Sequence, residues 1–180
     1  ALAWLTVASL GFYAWWYPPY LALLLSSLCG NFALGRILMN PAYSQRVRKF
    51  WLVFGTVANV GVLLYFKYAT FLVANAAAMT GNNWQWAAVA LPLGISFITF
   101  EEISYLCDVF RGDARPARRL SHYLLFLTLF PHSIAGPIFR WKDLEAQLVE
   151  RDHSWELARE GFERFARGFA KKILVADSAA

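Results

Sequence analysis

The stretch LPLGISFITFEEISYLCDVFRGD, Leu91–Asp113, places acidic side chains inside a strongly apolar run. On a helix, positions 101, 105 and 108 share one face, because side chains three and four residues apart are neighbours. Ionisable groups at membrane depth are costly and usually face a bundle interior or a cavity. One hypothesis is therefore that Glu101, Glu102, Tyr105 and Asp108 line a path for a polar substrate.

A second interpretation pairs these acids with nearby arginines. Asp108 and Arg111 are three residues apart near the end of the run, which favours an ion pair at that position. Glu101 and Glu102 lie deeper, and for them both interpretations stay open. Earlier in the same stretch, Pro92-Leu93-Gly94 predicts a kink in the helix, because proline removes a backbone hydrogen bond.

The composition of the chain is that of a membrane protein. Hydrophobic residues make up 58% of its 180 residues, aromatic residues 17% and charged residues 16%, and the mean hydropathy is +0.40. An average soluble domain is about a quarter charged, and one small core cannot bury this much apolar surface. The net charge of +5 does not indicate nucleic-acid binding, because Lys and Arg flank the apolar runs instead of forming one basic domain.

The apolar runs approach the roughly 20 residues that cross a bilayer, and they cover residues 1–16, 21–38, 51–73, 87–110 and 120–139. Basic segments at residues 36–49 and 111–119 alternate with the uncharged segment Asn75–Trp86. The positive-inside rule assigns the two basic segments to the cytoplasmic side and the uncharged segment to the external side. The sequence predicts an all-α, polytopic membrane helix bundle. Because the chain begins without Met and ends on what resembles the start of a helix, we expect residues 1–180 to be the N-terminal part of one domain, truncated at both ends.

The fifth apolar run contains a break at LFPHSIAGPIFRW, Leu129–Trp141. Pro131 and the Gly136-Pro137 pair should stop a helix. The run either crosses the membrane or enters, breaks and returns, and irregular backbone at membrane depth persists only where it lines a cavity or is buried in protein. His132 is either a base that takes a proton from a hydroxyl group or a side chain that satisfies the freed backbone groups.

Residues 140–172 form a highly charged segment with eight basic and seven acidic residues. Apolar side chains recur in it at helical spacing, which predicts an amphipathic interfacial helix, and they are Trp155, Leu157, Phe162, Phe165 and Phe169. The Lys171-Lys172 pair favours a cytoplasmic position. The two cysteines of the chain show no metal-ligand spacing, so we expect no metal site.

Four segments of the chain resemble the bacterial membrane-bound O-acyltransferase family. The segment from Pro92 to Gly112 is similar to the family pattern PxGISFxxFxxxSYxxDxYRG, with Phe110 where Tyr is usual. FPHSIAGPIFRWKDL is similar to its FPxxxAGPxxR segment, GFAKKILVADSAA to GxxKKxxIAD, and SLGFYAWWYPPYLALLL to the early SxxFYAWW stretch. The scaffold positions are Pro92, Gly94, Ser96, Phe97, Arg111, Gly112, Pro131, Gly136, Pro137 and Arg140.

Within this family, the chain most resembles the alginate O-acetyltransferase branch, on His132, Arg140, Lys142 and Asp143. The resemblance implies a multi-pass protein of the bacterial inner membrane that passes an acetyl group from a cytoplasmic donor, acetyl-CoA or another acyl donor, toward an exported polysaccharide. It implies periplasmic acetyltransferase partners and no bound cofactor. Acetylation of cellulose or peptidoglycan and D-alanylation of teichoic acid are alternatives within the same family.

The resemblance also limits what this stretch does by itself. The essential histidine of the family lies in its second half, no residue here matches it, and His132 is not that histidine. We therefore expect no certain catalytic residue and no activity from these residues alone, with candidate cavity-lining residues at Glu101, Glu102, Tyr105, Asp108 and His132. A membrane transporter or channel subunit is the alternative from another class, because it would show similar polar helix faces and a similar re-entrant loop.

Overall fold

The computed structural model describes residues 2–84, 86–87, 89–130, 138–149 and 154–178. Every regular element within these residues is helical, and none is a strand. Two helices, Pro18–Met39 and Gln45–Thr80, are long and apolar enough to cross a membrane. The prediction of an all-α membrane helix bundle is thereby confirmed.

The first helices are α1 (Leu2–Trp16), α2 (Pro18–Met39) and α3 (Gln45–Leu63). Proline suits the first turn of α2, because its missing N–H would lack an intrahelical partner there. Ser44 begins α3 by accepting a hydrogen bond from the Val47 N–H at 3.5 Å.

The third apolar run forms a longer helix than predicted. From α3 the helix continues through a π-helical turn, Leu64–Tyr68, into α4 (Ala69–Thr80), and it ends at Gly81 in the left-handed conformation, φ 70°. The helix thus extends beyond the predicted span at 51–73 at both ends, and Asn75–Thr80, predicted to belong to an external loop, is helical. The alanines in this segment favour helix over loop.

The fourth run differs from the prediction in the opposite direction. Residues 87–94 were expected to be helical with a kink at Pro92-Leu93-Gly94, but α5 begins only at Ile95 and extends to Arg111. Gly94 adopts φ 65°, which a continuous right-handed helix does not allow. These residues therefore start the helix instead of bending it, and Gly112, at φ 83°, ends it.

The fifth run forms α6 (Leu120–Thr128), so the helix stops before Pro131. Pro131, His132, Gly136 and Pro137 lie outside the described residues, and the choice between a crossing and a re-entrant run stays a prediction. The later helices are α7 (Trp141–Val149) and α8 (Trp155–Lys171), which continues as a π-helical turn over Lys172–Ala176. Residues 1–145 form one compact unit and residues 146–180 a second.

In the first unit, α5 packs against both α2 and α3, and α1 packs against α2 and α6. Glycines permit the two closest approaches to α5. A Cβ at Gly35 of α2 would overlap the Tyr105 hydroxyl and come within 2.7 Å of ring atoms Cε1 and Cζ. A Cβ at Gly55 of α3 would lie 2.8 Å from a methyl group of Leu106. Small residues at such contacts are typical of helix packing in membranes.

Candidate functional site

The candidate site is the acidic face of α5, and the bundle buries it. Glu101 and Asp108 are 2% exposed, Glu102 is 1% exposed and Tyr105 is fully buried. The placement of positions 101, 105 and 108 toward the bundle interior follows the helical spacing of the sequence. A buried polar face of this kind retains its place only when hydrogen-bonded partners surround it.

Glu102 has its partners on α2. The Ser27 hydroxyl lies 3.0 Å from Oε1 and 2.9 Å from Oε2 of Glu102. One turn further along α2, Asn31 donates from Nδ2 to the Ser27 carbonyl oxygen at 3.1 Å. Asn31 also forms a reciprocal amide pair with Asn59 of α3, at 3.1 Å and 2.8 Å. A polar network thus connects α2, α3 and α5 at the centre of the bundle.

A small cavity adjoins this network. Its volume is about 30 Å³, and its polar lining comes from Tyr13, Ser27, Asn59, Thr99 and Glu102. Apolar side chains, with Pro92 among them, complete the wall. The cavity is large enough for one water molecule and far too small for a sugar or a coenzyme.

Glu101 faces the segment that follows α6. Its Oε1 accepts a hydrogen bond from the Phe139 N–H at 3.4 Å. Tyr123 of α6 is fully buried, and its hydroxyl has no hydrogen-bond partner among residues 2–84, 86–87, 89–130, 138–149 and 154–178. The interior of the bundle therefore carries polar groups from both α5 and α6.

Asp108 does not form the ion pair that the sequence favoured. The carboxyl group is buried, Arg111 is exposed, and Oδ2 of Asp108 has no hydrogen-bond partner in the described parts of the chain. Asp108 lies on the buried face of α5, whereas Arg111 lies at its exposed last turn. The backbone carbonyl of Asp108 instead accepts from the Asp113 N–H at 2.9 Å.

An aromatic cluster fixes the basic segment that follows α5. Tyr105 and Tyr123 have ring centroids 4.7 Å apart, and Trp141 meets Tyr105 at 6.0 Å. The Trp141 indole N–H donates to the Arg115 carbonyl at 2.9 Å, and the Tyr105 hydroxyl accepts from the Ala117 N–H at 3.2 Å. Two buried aromatic side chains thus hold a loop that is rich in exposed arginines.

The other motif residues lie around this core and outside the polar network. Pro92 is buried and Phe97 half-buried, while Arg111, Gly112 and Arg140 are exposed. The Ser96 hydroxyl accepts a hydrogen bond from Lys67 Nζ at 3.3 Å, which connects the π-helical turn to the start of α5. His132, with Pro131, Gly136 and Pro137, lies outside the described residues, so its role stays a prediction.

Sequence reasoning missed the partners of the acidic face. Ser27 and Asn59 were not singled out, although an Asn inside an apolar run is itself a signal for contacts between membrane helices. Tyr123 and Trp141 carried no such signal, because aromatic residues occur throughout this chain. Within the described residues, no group of three or more His, Cys, Asp or Glu side chains could hold a metal ion.

The chain is similar in sequence to several named O-acetyltransferases. The chain is 40% identical, over 98% of its length, to proteins named probable alginate O-acetylase AlgI from Pseudomonas syringae pv. tomato and Pseudomonas aeruginosa. The chain is 31% identical over 98% of its length to a peptidoglycan O-acetyltransferase from Helicobacter pylori, of which it covers 38%. Over nearly its whole length, this chain is similar to one part of those O-acetyltransferases. The resemblance read from the sequence motifs is thereby confirmed.

The similarity concerns one part of these proteins. The chain spans 35% of the length of each of the two Pseudomonas relatives. No protein-family model matches the chain, and no solved structure matches it. The relationship therefore rests on the alignment with whole curated proteins and on the motifs quoted above.

Proposed function

We propose that the full-length protein is an O-acyltransferase that moves an acetyl group from a cytoplasmic donor across the inner membrane. The acetyl group serves the O-acetylation of an exported polysaccharide, for which alginate is the favoured candidate. The observation that carries this proposal is the 40% identity to alginate O-acetylases over 98% of the chain. The match to a peptidoglycan O-acetyltransferase supports acetyl transfer to an extracellular glycan more generally.

In this proposal, the donor is acetyl-CoA or another activated acetyl group. The thioester C–S bond breaks, an ester bond forms between the acetyl carbonyl carbon and a hydroxyl oxygen, and the proton of that hydroxyl leaves with the thiol. A general base that holds this proton in transit would accelerate the step. We assign that base to the histidine that the family carries elsewhere, and not to any of the described residues.

The described residues would supply the wall of the transfer path. The acidic face of α5 lies inside the bundle, with Glu101 against the segment that follows the predicted break. Buried ionisable groups in membrane helices are retained mainly where they face a path or a polar cluster. His132, which precedes Phe139 in the sequence, is proposed to line this path.

We infer a multi-pass arrangement from the positions of the basic residues. The connection between α2 and α3 and the segment after α5 both carry clusters of Lys and Arg, while α4 is followed by uncharged residues. The positive-inside rule places the two basic connections in the cytoplasm. Lipids would surround the apolar faces, and periplasmic acetyltransferases would receive the acetyl group.

The test is acetyl transfer by membranes that contain the full-length protein. Acetyl-CoA labelled in the acetyl group is offered on the cytoplasmic side of inverted vesicles, with alginate oligosaccharides and the periplasmic fraction present. We expect label in base-labile esters on the oligosaccharide. If the label crosses without forming an ester, the protein is a transporter, and the O-acyltransferase proposal is wrong.

The same assay separates the acceptors. Alginate, peptidoglycan fragments and cellulose oligomers are compared at equal hydroxyl concentration, and label should accumulate on alginate. A preference for peptidoglycan would retain the acetyl-transfer proposal and replace the acceptor. Membranes without the protein are the control for transfer by other enzymes.

A further inference from the structure

The carboxyl group of Glu102 is buried and has no compensating charge among the described residues. It is 1% exposed, and its hydrogen bonds to described residues come from neutral side chains of α2, the Ser27 hydroxyl and the Asn31 amide. No Lys, Arg or His of the described residues forms an ion pair with it, while a second acid, Glu101, is adjacent on α5. An ionised carboxylate in such a place lacks both the water and the counter-charge that would stabilise it.

The number of donor hydrogens close to the Glu102 carboxyl group also favours the neutral acid. Both carboxyl oxygens lie within 3.0 Å of Ser27 Oγ, but a serine hydroxyl has a single proton to donate. If Glu102 carries a proton, one oxygen donates to Ser27 Oγ while the other accepts from it or faces the cavity. The neutral acid therefore uses this geometry more fully than the anion does.

The cavity next to Glu102 has the size and chemistry of a water site. It measures about 30 Å³ and is lined by Tyr13, Asn59 and Thr99 as well as by Glu102. Asn59 uses one amide hydrogen on Asn31, and its second finds no acceptor within the described residues. The Thr99 and Tyr13 side chains bring hydroxyl groups to the same wall. A buried water typically makes two to four hydrogen bonds, and these groups can provide them.

We propose that Glu102 is a neutral carboxylic acid in the folded protein and that the adjoining cavity binds one water molecule, held by Glu102, Asn59 and Thr99. This internal water site completes the network that joins α2, α3 and α5. It does not depend on acetyl transfer and would be present whatever the acceptor. The rival occupant of such a cavity is a monovalent cation, which would require Glu102 to be ionised.

The protonation of Glu102 is tested by infrared spectroscopy of the full-length protein in lipid nanodiscs at neutral pH. We expect a carbonyl-stretch band of a protonated carboxylic acid that is lost in Glu102→Gln. The matched control is Asp113→Asn, because Asp113 is an exposed acid two residues after α5 and should contribute nothing to this band. A band that persists in Glu102→Gln, or the absence of such a band, would overturn the proposal.

A second variant keeps the test usable if Glu102→Gln does not fold. Ser27→Ala removes the hydroxyl that bonds to Glu102, so the band should shift in frequency while remaining present. An unshifted band would mean that the protonated acid is a different residue. This variant changes one small side chain on α2, and the amide pair between Asn31 and Asn59 stays available.

The occupant of the cavity is tested with the unmodified protein. Thermal unfolding in sodium chloride and in choline chloride should give the same Tm, because water is present in both. A Tm that rises with sodium concentration would indicate a bound cation by linkage and would overturn the water site. An experimental density map should show one peak within hydrogen-bond distance of Glu102 and Asn59, and an empty cavity would also contradict the proposal.

Discussion

Asn31 of α2 and Asn59 of α3 donate hydrogen bonds to each other, from Nδ2 of Asn31 to Oδ1 of Asn59 at 3.1 Å and in the reverse direction at 2.8 Å. Both side chains are buried. A reciprocal amide pair satisfies one donor and one acceptor on each helix at the same time, and it sets the register of α2 against α3. It also fixes Ser27 relative to the α5 carboxyl group, because Asn31 donates to the Ser27 carbonyl.

The amide pair should show strong energetic coupling. Asn31→Ala leaves the Asn59 amide unsatisfied inside the bundle, and we expect a loss of about 1–3 kcal/mol in the free energy of unfolding. Asn59→Ala should cost a similar amount. The double variant should cost less than the sum of the two single variants, because no amide is left without its partner. Reversible unfolding of the full-length protein in mixed detergent micelles measures all three.

Additive losses in this cycle would contradict the reciprocal pair. Asn75→Ala is a suitable control, because Asn75 is exposed on α4 and bonds only to the carbonyl of its own helix turn, Phe71 O, at 2.7 Å. We expect that change to leave the free energy of unfolding nearly unaltered.

A methyl group at Gly35 should disturb the contact between α2 and α5. Gly35→Ala would place a Cβ within 2.7 Å of the Tyr105 ring, and Tyr105 is buried and held from three sides by aromatic rings and the Ala117 N–H. We expect a loss of about 1–3 kcal/mol in the free energy of unfolding, as for other overpacked contacts. Thermal unfolding of the purified protein measures it.

Gly30→Ala is the matched control, since Gly30 lies on the same helix and a Cβ there would meet nothing within 4 Å. That change should be neutral or slightly stabilising, because alanine favours helix over glycine. Equal effects at the two glycines would mean that helix propensity, and not the Tyr105 contact, decides the outcome.

The sequence alone predicted the features that depend on local periodicity. The helical spacing of Glu101, Tyr105 and Asp108 placed them on one face, and burial of that face follows from their cost at membrane depth. The start of α5 was not predicted, because the same Pro92-Gly94 pattern suits both a kink and a helix start. Only the left-handed φ of Gly94 decides between them.

The partners of the acidic face could not be predicted because they are distant in sequence. Ser27 and Glu102 are 75 residues apart, and Asn31 and Asn59 are 28 apart. Which polar residue of one apolar helix meets which of another depends on the rotation and depth of both helices. Neither quantity can be read from one sequence, since the lipid-facing and bundle-facing sides of such helices are nearly equally apolar.

Trp141 should hold the arginine-rich loop after α5 in place. Trp141→Phe retains a buried aromatic ring but removes the indole N–H that donates to the Arg115 carbonyl at 2.9 Å. The freed carbonyl loosens the loop, so trypsin should cleave after Arg118 or Arg119 several-fold faster. The bond after Arg115 precedes Pro116 and resists trypsin. Mass spectrometry of the early fragments from the membrane-embedded protein identifies the cut.

Trp155→Phe is the control for this experiment, because Trp155 is 93% exposed and its indole N–H has no hydrogen-bond partner among the described residues. Cleavage of the loop should proceed at the unmodified rate in that variant. A loop equally protected in Trp141→Phe would assign its rigidity to the Tyr105 hydroxyl and the Ala117 N–H instead.

The apolar stripe of α8 should contact lipid. Phe162, Phe165 and Phe169 recur at helical spacing and are exposed within the second unit, while Arg159 pairs with Glu156 at 2.7 Å and with Glu163 at 3.1 Å beside this stripe. Such a helix lies in the plane of the membrane interface with its apolar face toward the lipid acyl chains. An environment-sensitive dye on Phe165→Cys should therefore emit at shorter wavelength than the same dye on Arg164→Cys.

The dye experiment requires Cys29 and Cys107, both free thiols, to be replaced first. Addition of a lipid-phase quencher should reduce emission at position 165 more than at position 164. Equal emission and equal quenching at the two positions would exclude an interfacial orientation of α8.

His132→Ala should lower acetylation while leaving the protein in the membrane. In the sequence, His132 lies between α6 and Phe139. The backbone N–H of Phe139 donates a hydrogen bond to the buried Glu101 at 3.4 Å. A side chain that lines the path would affect turnover, whereas one that only satisfies freed backbone groups would affect folding and protein level. Initial rates of labelled acetyl transfer, divided by the amount of protein in the membrane, separate the two roles. We expect a drop of about tenfold to a hundredfold in this ratio, because misplacing a reacting group by about 1 Å can cost roughly a hundredfold in rate. His153→Ala, in the charged segment before α8, is the matched control and should leave the ratio unchanged.

Unchanged transfer in His132→Ala at equal protein level would contradict the proposed role of His132 in the path. A parallel loss of protein and activity would assign His132 to the scaffold.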